Sequence, residues 1–218
     1  MSEVVVCIPN ALIDDGIHMA GSNKFHDLMD YIGGCRFSAV RDKTDKSSTS
    51  LEFNTSVRQL VVCALIQDGD DLLIYRRKNK TGEKRLAGYY SLPSGHMNAF
   101  TKNFHADIVD DTLREVTEEL NLTPIGQEAV FSPEGATLPM KVCALFQTSS
   151  PEDNGVHLVH TGLLIKIDVT DKFKVSLKET GSMEELTRVN SNNYSEYLKE
   201  CDLWLRLTLP WFSQLILL

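Results

Sequence analysis

Apolar and polar residues alternate in blocks along the 218-residue chain, and each block predicts an element of secondary structure. The run from Val4 to Ile8 predicts a strand, and the segment NKFHDLMDYI predicts a short helix. The polar stretch DKTDKSSTS at 42–50 predicts a loop. We therefore expect an N-terminal extension, residues 1–50, that packs on a main domain formed by residues 51–218.

The main domain begins with a hairpin pattern. In VRQLVVCALIQDGDDLLIYRRK, two aliphatic runs flank DGDD, which is typical of a tight turn between antiparallel strands. The next segment, RLAGYYSLPSGH, is rich in Gly, Pro and Ser and predicts a loop with at most a short strand. Apolar residues then recur at helical spacing from Asp107 to Leu120, and Pro124 and Gly126 end that helix.

The last third of the chain returns to strands. MKVCALFQ and VHLVHTGLLIKIDV predict two of them, and a final helix is expected from Ser195 to Leu207, before Pro210. The order of strands, loop, helix, strands and helix predicts a mixed α/β domain.

Composition and charge exclude several classes of function. The chain is 42% hydrophobic and 24% charged, as in ordinary globular proteins. Its net charge of −8 argues against a broad basic surface, so we expect no DNA or RNA duplex as a partner. Five scattered cysteines without a CxxC motif predict free thiols rather than a zinc site. With no secretory signal and no apolar run of membrane-spanning length, we expect a cytoplasmic protein without a membrane partner.

Three carboxylates are crowded into the segment TLREVTEELNL. Glu115 and Glu119 are four residues apart and project from one face of the predicted helix, with Glu118 beside them and Asp111 one turn earlier. Such carboxylates repel each other unless they share a cation, and hard oxygen ligands suit Mg²⁺ or Mn²⁺. The alternative is a solvated helix face on which Arg114 reduces the repulsion.

Together with the preceding loop, this segment resembles the Nudix box, a glycine followed by a glutamate and then R-E-(apolar)-x-E-E-x-G-(apolar). Gly95 matches the opening glycine, and the second half is matched by Arg114, Glu115, Val116, Glu118, Glu119 and Leu122. LLIYRRKNKTGEKRLAGYYSLPSGHMN precedes the box in the order found in Nudix proteins. Its GH-containing, lengthened box is similar to that of larger bacterial and phage members with an N-terminal extension. The resemblance implies the Nudix fold, a mixed β-sheet sandwiched between helices in an α/β/α arrangement.

The chain departs from the Nudix pattern at three points. The interval from Gly95 to Arg114 is five residues longer than usual. Ala106 stands where the family has a glutamate that braces the box arginine, a role that Asp107 or Asp110 would have to fill. Asn121 replaces the late glycine, an exchange that keeps access to a left-handed backbone at a helix end.

The resemblance implies metal-dependent hydrolysis of a nucleoside diphosphate linked to another moiety. Glu115, Glu119 and the Gly95 carbonyl would bind Mg²⁺ or Mn²⁺. Glu118 would act as a further ligand or on metal-bound water, and Arg114 would orient the glutamates. Glu179, in the later segment LKETGSMEEL, is the expected catalytic base, with a solvated acidic loop as the alternative.

Residues outside the acidic cluster are candidates for binding a small, nucleotide-type substrate. Guanidinium groups bind phosphates, so Arg76, Arg77 and Arg85 are candidates, with Arg85 favoured first. His96 would hydrogen-bond a phosphate, and Tyr90 would stack on a base. Each has a structural alternative, a surface charge for the arginines and a packing role for His96 and Tyr90. A homodimer is compatible with the resemblance.

Three rival functions remain at this stage. Ala106 and the lengthened box are compatible with a Nudix-fold module that binds nucleotide with little or no turnover. Isopentenyl-diphosphate isomerase shares the fold, but its chemistry needs a cysteine in the loop before the histidine, and YYSLPSGH has none. The third is a metal-independent interaction protein with an acidic surface helix.

Overall fold

The structure is a computed structural model that describes residues 2–42, 44, 45, 47, 50–78, 86–126, 140–149 and 157–217. Its strands are β1 (Ser2–Pro9), β2 (Gly16–Met19), β3 (Phe37–Asp42), β4 (Val57–Asp68), β5 (Asp71–Arg77), β6 (Tyr90–Ser91), β7 (Ser94–His96), β8 (Leu120–Pro124), β9 (Met140–Gln147), β10 (His160–Asp168), β11 (Phe173–Leu177) and β12 (Met183–Val189). Its α-helices are α1 (Asn23–Cys35), α2 (Phe104–Glu119), α3 (Tyr194–Tyr197), α4 (Leu203–Thr208) and α5 (Phe212–Leu217).

Ten of these strands form one mixed sheet. Its main path runs β12-β5-β4-β10-β9-β2. Strands β4 and β10 are parallel, whereas β4 pairs antiparallel with β1, β5 and β7. Strand β6 pairs antiparallel with β5, and β3 pairs antiparallel with β1. The remaining two, β8 and β11, form a separate antiparallel pair at the end of α2.

The predicted hairpin is confirmed. Asp68 of β4 pairs with Asp71 of β5, which leaves Gly69 and Asp70 as the turn. Gly69 has a φ of 65°, a left-handed conformation that glycine adopts without steric cost.

Two apolar cores lie on opposite faces of the sheet and establish the predicted α/β/α arrangement. Strand β4 contributes to both, because successive side chains of a strand point to opposite faces. Its Leu60 and Val62 pack with α1 and α2, on what we call the α2 face. Val61 and Cys63 pack with Trp204 and the rest of the C-terminal helical segment, on the C-terminal face. A strand covered on both sides reads as a continuous apolar run, as β4 does.

Residues 2–42 contribute three strands, β1, β2 and β3, to the ten-stranded sheet. Strand β1 pairs with β4, and β2 pairs with β9. Helix α1 begins after Ser22, whose side chain caps the Phe25 backbone N–H, and buries Phe25 and Ile32 on the α2 face. The division into an extension and a main domain stays a prediction.

Two local predictions were wrong. The single helix expected from Ser195 to Leu207 is interrupted, because Cys201 bridges to Tyr90 and Asp202 starts a new helix by capping Leu205. Asn121 is not left-handed either. Helix α2 passes directly into β8, where Asn121 is paired with Ser176, so its backbone continues as a strand.

The five cysteines are free thiols, as predicted. Burial raises the pKa of Cys7 to about 11 and that of Cys143 to about 12, as expected for inert packing residues. No helix in the described ranges is long and apolar enough to span a membrane.

Candidate functional site

Helix α2 carries the acidic cluster, and its first turn is fixed by the buried carboxylate of Asp107. That carboxylate accepts hydrogen bonds from the Thr101 hydroxyl at 2.7 Å and from Arg36 Nη2 at 3.0 Å. The side chain of Asn103 caps the helix through the Ala106 N–H at 3.2 Å. These contacts tie the start of α2 to the end of α1 and set the direction in which its later carboxylates point.

Most of the acidic face is buried rather than solvated. Glu115 is 9% exposed, Glu119 is 7% exposed and Asp111 is 2% exposed. In contrast, 59% of the Glu118 side chain is exposed. The solvated-face interpretation therefore applies to Glu118 alone, and the other carboxylates must be stabilised by partners inside the protein.

Glu115 lies directly against Gly95 of β7. A Cβ atom built on Gly95 would be 1.9 Å from the Glu115 carboxylate, a distance that no real pair of atoms tolerates. Glycine is therefore required here because the strand backbone and the helix carboxylate approach each other closely. The structure therefore brings together Gly95 and Glu115, two of the residues predicted to bind metal.

Arg114 holds this arrangement from the side. Its Nη1 donates to Glu115, and its Nη2 donates to the His96 carbonyl at 2.8 Å and to Asp111 Oδ1 at 2.9 Å. The brace for the box arginine is therefore Asp111. Asp107 pairs instead with Arg36, and Asp110 is exposed, whereas the buried Asp111 makes the contact with Arg114.

Asp111 also fixes the segment that follows β7. Its second oxygen accepts hydrogen bonds from the backbone N–H groups of Asn98 and Ala99, both at 2.9 Å. One carboxylate thus binds both Arg114 and the segment that follows β7.

Glu119 is the most enclosed of the three glutamates. Burial raises its pKa to about 8, although the nearby Arg77 guanidinium acts in the opposite direction. Its Oε2 accepts a hydrogen bond of 3.1 Å from the Tyr75 hydroxyl. Burial also raises the pKa of Glu115, and the Arg114 guanidinium partly offsets that effect.

Glu179 is brought next to this end of the helix. Its backbone N–H donates to the Glu119 carbonyl at 3.3 Å, and the Lys178 N–H donates to the same oxygen at 2.9 Å. The charge on Glu179 also contributes to the raised pKa of Glu119. Its own side chain is exposed, so it lies at the solvent edge of the buried carboxylates.

Three predicted substrate-binding residues lie on the other face of the sheet. His96 is paired with Val61, which faces the C-terminal core, and its Nε2 is 3.1 Å from Nε2 of His160. Tyr90 is 5% exposed, and Arg76 lies 5.5 Å over its ring. Because neighbours on a strand point to opposite faces, the residue after Gly95 must point away from Glu115.

These placements separate the sequence-predicted residues into two groups. Those on the α2 side, at or near Glu115 and Glu119, are Gly95, Arg114, Glu115, Glu118, Glu119 and Glu179. Those on the C-terminal face are Arg76, Tyr90 and His96. Arg85 lies outside the described residues.

Comparison with solved structures identifies the architecture. The chain resembles the crystal structure of Tm1382, a candidate Nudix hydrolase, with a TM-score of 0.66 and 17% identity over 99% of this chain and 100% of that one. The chain has the Nudix fold.

Other solved structures match less of the chain. A bifunctional NMN adenylyltransferase/ADP ribose pyrophosphatase from Francisella tularensis, complexed with AMP and a manganese ion, is 13% identical over 72% of this chain and 42% of its own, with a TM-score of 0.47. A Nudix hydrolase from Nitrosomonas europaea is 14% identical over 72% and 71%, with a TM-score of 0.46. Neither a family profile nor a curated protein sequence matches the chain.

The residues at the Nudix box fit a hard divalent cation in their donor chemistry. Glu115, Glu118 and Glu119 supply carboxylate oxygens, and the space left by Gly95 admits the Glu115 carboxylate beside the β7 backbone. Across the ranges that the structure describes, no three His, Cys, Asp or Glu side chains are already grouped as a metal site. In this conformation Arg114 is the cation that neutralises Glu115.

Sequence reasoning did not place Tyr75 and Arg77 of β5 beside Glu119. Tyr75 is fully buried and contacts Glu119, while Arg77 donates to the Tyr75 hydroxyl at 3.0 Å. A signal was present, because Tyr75 and Arg77 are two apart on a predicted strand and so share one face. The sequence could not show that this face is the one covered by α2.

Proposed function

We propose that the chain is a member of the Nudix superfamily and a metal-dependent hydrolase of the diphosphate linkage in a nucleoside diphosphate joined to another moiety. The observation that carries the proposal is the position of Glu115, buried against Gly95 and held by Arg114, in a chain with the Nudix fold. The two halves of the box are 19 positions apart here, and they still meet.

Mg²⁺ or Mn²⁺ would be held by Glu115, Glu119 and the Gly95 carbonyl, with Glu118 at the exposed side. When bound, such a cation neutralises diphosphate charge and makes a water molecule more acidic. A cation would also favour the ionised form of Glu119, whose pKa burial raises to about 8. A bound cation would add to the charge compensation that Arg114 gives Glu115.

The chain's own residues would organise the reaction around this site. Arg114 orients Glu115 through a direct ion pair and is itself fixed by Asp111. Glu179, exposed beside the end of α2, is the proposed general base that takes a proton from the attacking water. Glu118 is exposed on the same helix and is available to substrate and solvent.

The proposal does not assign diphosphate contacts to Arg76, Tyr90 or His96. Each faces the C-terminal core, and Arg76 is paired with Glu200 at 3.2 Å. Their roles in substrate binding stay predictions, on the opposite face of the sheet from Glu115. A small nucleotide-type molecule remains the proposed substrate, with Arg85 as a proposed phosphate contact.

Hydrolysis of a panel of nucleoside diphosphate derivatives, with and without Mg²⁺ or Mn²⁺, tests this function. The panel would include ADP-ribose, dinucleoside polyphosphates, nucleotide sugars, oxidised nucleotides and coenzymes. We expect metal-dependent turnover that falls to background in Glu119→Gln and Glu115→Gln. Glu196→Gln, which alters an exposed glutamate of α3, is the matched control and should keep full activity.

The opposite result is equally informative. If the wild-type protein binds nucleotide but hydrolyses no member of the panel in either metal, the hydrolase proposal fails. The chain would then be a Nudix-fold nucleotide-binding module.

A further inference from the structure

A chain of hydrogen bonds runs from the C-terminal helical segment to Glu119. Asp202 Oδ2 accepts from the Ser91 hydroxyl at 2.5 Å, and Ser91 Oγ accepts from Arg77 Nε at 3.2 Å. Arg77 Nη2 then donates to the Tyr75 hydroxyl at 3.0 Å. Tyr75 completes the chain by donating to Glu119 Oε2 at 3.1 Å.

Three of the four residues that lead to Glu119 in this series of hydrogen bonds are buried. Tyr75 and Ser91 are fully buried, and Asp202 is 9% exposed. The Tyr75 hydroxyl also lies 3.1 Å from the Leu92 carbonyl, so its single proton is shared between that oxygen and Glu119. Arg77 is suited to the central place, because a planar guanidinium donates in two fixed directions at once.

The far end of the chain is anchored by backbone structure. The Asp202 N–H donates to the Tyr90 carbonyl at 2.9 Å, and its Oδ1 caps α4 through the Leu205 N–H at 2.8 Å. Asp202 therefore cannot move without disturbing both β6 and the start of α4. Ser91, which donates to Asp202, accepts a hydrogen bond from Arg77 and so restricts the position of the guanidinium.

We propose that Tyr75 and Arg77 are positioning residues for Glu119, and that Ser91 and Asp202 fix them by linking the carboxylate to the start of α4. The inference rests on the proposed function, since it assigns a task to residues around a proposed metal ligand. Groups behind a metal ligand orient it, and their loss typically lowers metal affinity by about 10- to 100-fold.

Mn²⁺ affinity, measured by electron paramagnetic resonance of the free ion, tests the proposal in the full-length protein. We expect Tyr75→Phe to weaken Mn²⁺ binding by about 10-fold. Ser91→Ala should weaken it in the same direction by a smaller factor. The matched control is Thr208→Val, which removes a buried hydroxyl that donates within α4 to the Trp204 carbonyl, away from this chain. It should leave the affinity unchanged.

The double variant separates positioning from a general loss of stability. If Ser91 acts on the metal site through Tyr75, then Ser91→Ala should have no further effect on Mn²⁺ affinity in a Tyr75→Phe background. Independent, additive effects of the two substitutions would overturn the proposal. Melting temperatures of all variants, compared with that of Thr208→Val, show whether folding changes with affinity.

The failure of this inference is distinguishable from failure of the proposed function. One possible outcome is that the wild-type protein binds Mn²⁺ and Glu119→Gln does not. If both Tyr75→Phe and Ser91→Ala then bind Mn²⁺ like the wild type, the positioning role is overturned while the metal site stands. If the wild-type protein binds no Mn²⁺ at all, the proposed function falls, and the positioning role falls with it.

Discussion

The missing side chain of Gly95 is the space that the Glu115 carboxylate fills. Both Cδ and Oε1 of Glu115 would lie 1.9 Å from a Cβ atom on Gly95. Strand β7 and helix α2 are held this close by Arg114, which binds the His96 carbonyl and Glu115 together. The glycine at position 95 is thus explained by the close approach of strand and helix, independently of its backbone conformation.

Gly95→Ala should therefore damage both the fold and metal binding. Because the new methyl group meets a buried carboxylate, the strand or the helix must shift, and we expect a loss of about 1–3 kcal/mol in the free energy of unfolding. Gly34→Ala in α1 is the matched control, since a Cβ there has no atom within 4 Å. In a helix that control should be neutral or stabilising by up to about 1 kcal/mol. Urea unfolding of both variants measures the difference, and equal effects would contradict the packing argument.

The ion pair between Arg36 and Asp107 should be important for stability. Asp107 is fully buried, and only 5% of the Arg36 side chain is exposed. Removal of Arg36 would therefore leave the buried Asp107 carboxylate without its oppositely charged partner. We expect Arg36→Met to lower the free energy of unfolding by about 3–5 kcal/mol.

An exposed pair in the same protein provides the comparison. Arg188, whose side chain is 57% exposed, pairs with Asp68 at the hairpin. Arg188→Met should cost less than about 1 kcal/mol, because solvent already screens that charge. Urea denaturation of the two variants side by side checks the contrast, and a similar loss in both would show that the burial of Arg36 is irrelevant.

The stability of the metal-free protein should fall as pH rises. Burial raises the pKa of Glu119 from the ordinary 4.5 to about 8. Between these values the folded state binds a proton that the unfolded state releases, so unfolding becomes more favourable with increasing pH. The stabilisation is complete at the acidic end of this window and is lost as the pH passes the folded-state pKa.

Thermal unfolding in the presence of a chelator, followed across this pH window, measures the effect. Glu119→Gln cannot ionise and should flatten the dependence, whereas Glu196→Gln, at an exposed position, should leave it as in the wild type. An identical slope in Glu119→Gln and wild type would assign the pH dependence to other groups.

Arg114→Lys should reduce metal affinity and turnover although it keeps the positive charge. Lysine cannot reproduce the planar fork that reaches Asp111, Glu115 and the His96 carbonyl simultaneously. We expect a loss of about 10- to 100-fold in Mn²⁺ affinity. Arg188→Lys, at the exposed pair with Asp68, controls for the exchange itself and should bind Mn²⁺ normally. Normal binding by Arg114→Lys would show that charge alone matters at this position.

Local patterns were sufficient for much of the fold. The hairpin at Gly69, the helix that carries Glu115 and Glu119, and strands β9 and β10 were predicted from hydrophobic spacing and turn residues. Their conformations are decided by neighbours within a few residues along the chain. The resemblance to the Nudix box then predicted that Gly95 and Glu115 would meet.

The prediction of the C-terminal helix failed because residues within it contact a partner far away along the chain. The expected C-terminal helix is interrupted because Cys201 and Asp202 bind Tyr90, which is more than one hundred residues earlier in the chain. His96, a predicted phosphate contact, lies on the C-terminal face because β7 pairs with β4, and its role stays a prediction.

The sequence by itself determined which residues could do the chemistry, since the type and spacing of Glu115, Glu118 and Glu119 are local properties of one helix. Only the tertiary structure decided their environment. In the folded protein Glu119 is buried beside Tyr75, and Arg114 forms an ion pair with Asp111 rather than with Asp110. Ser91 links the site to Asp202 by a hydrogen bond. Burial and pairing of charges depend on which elements pack together, and that depends on long-range contacts that no short stretch of sequence contains.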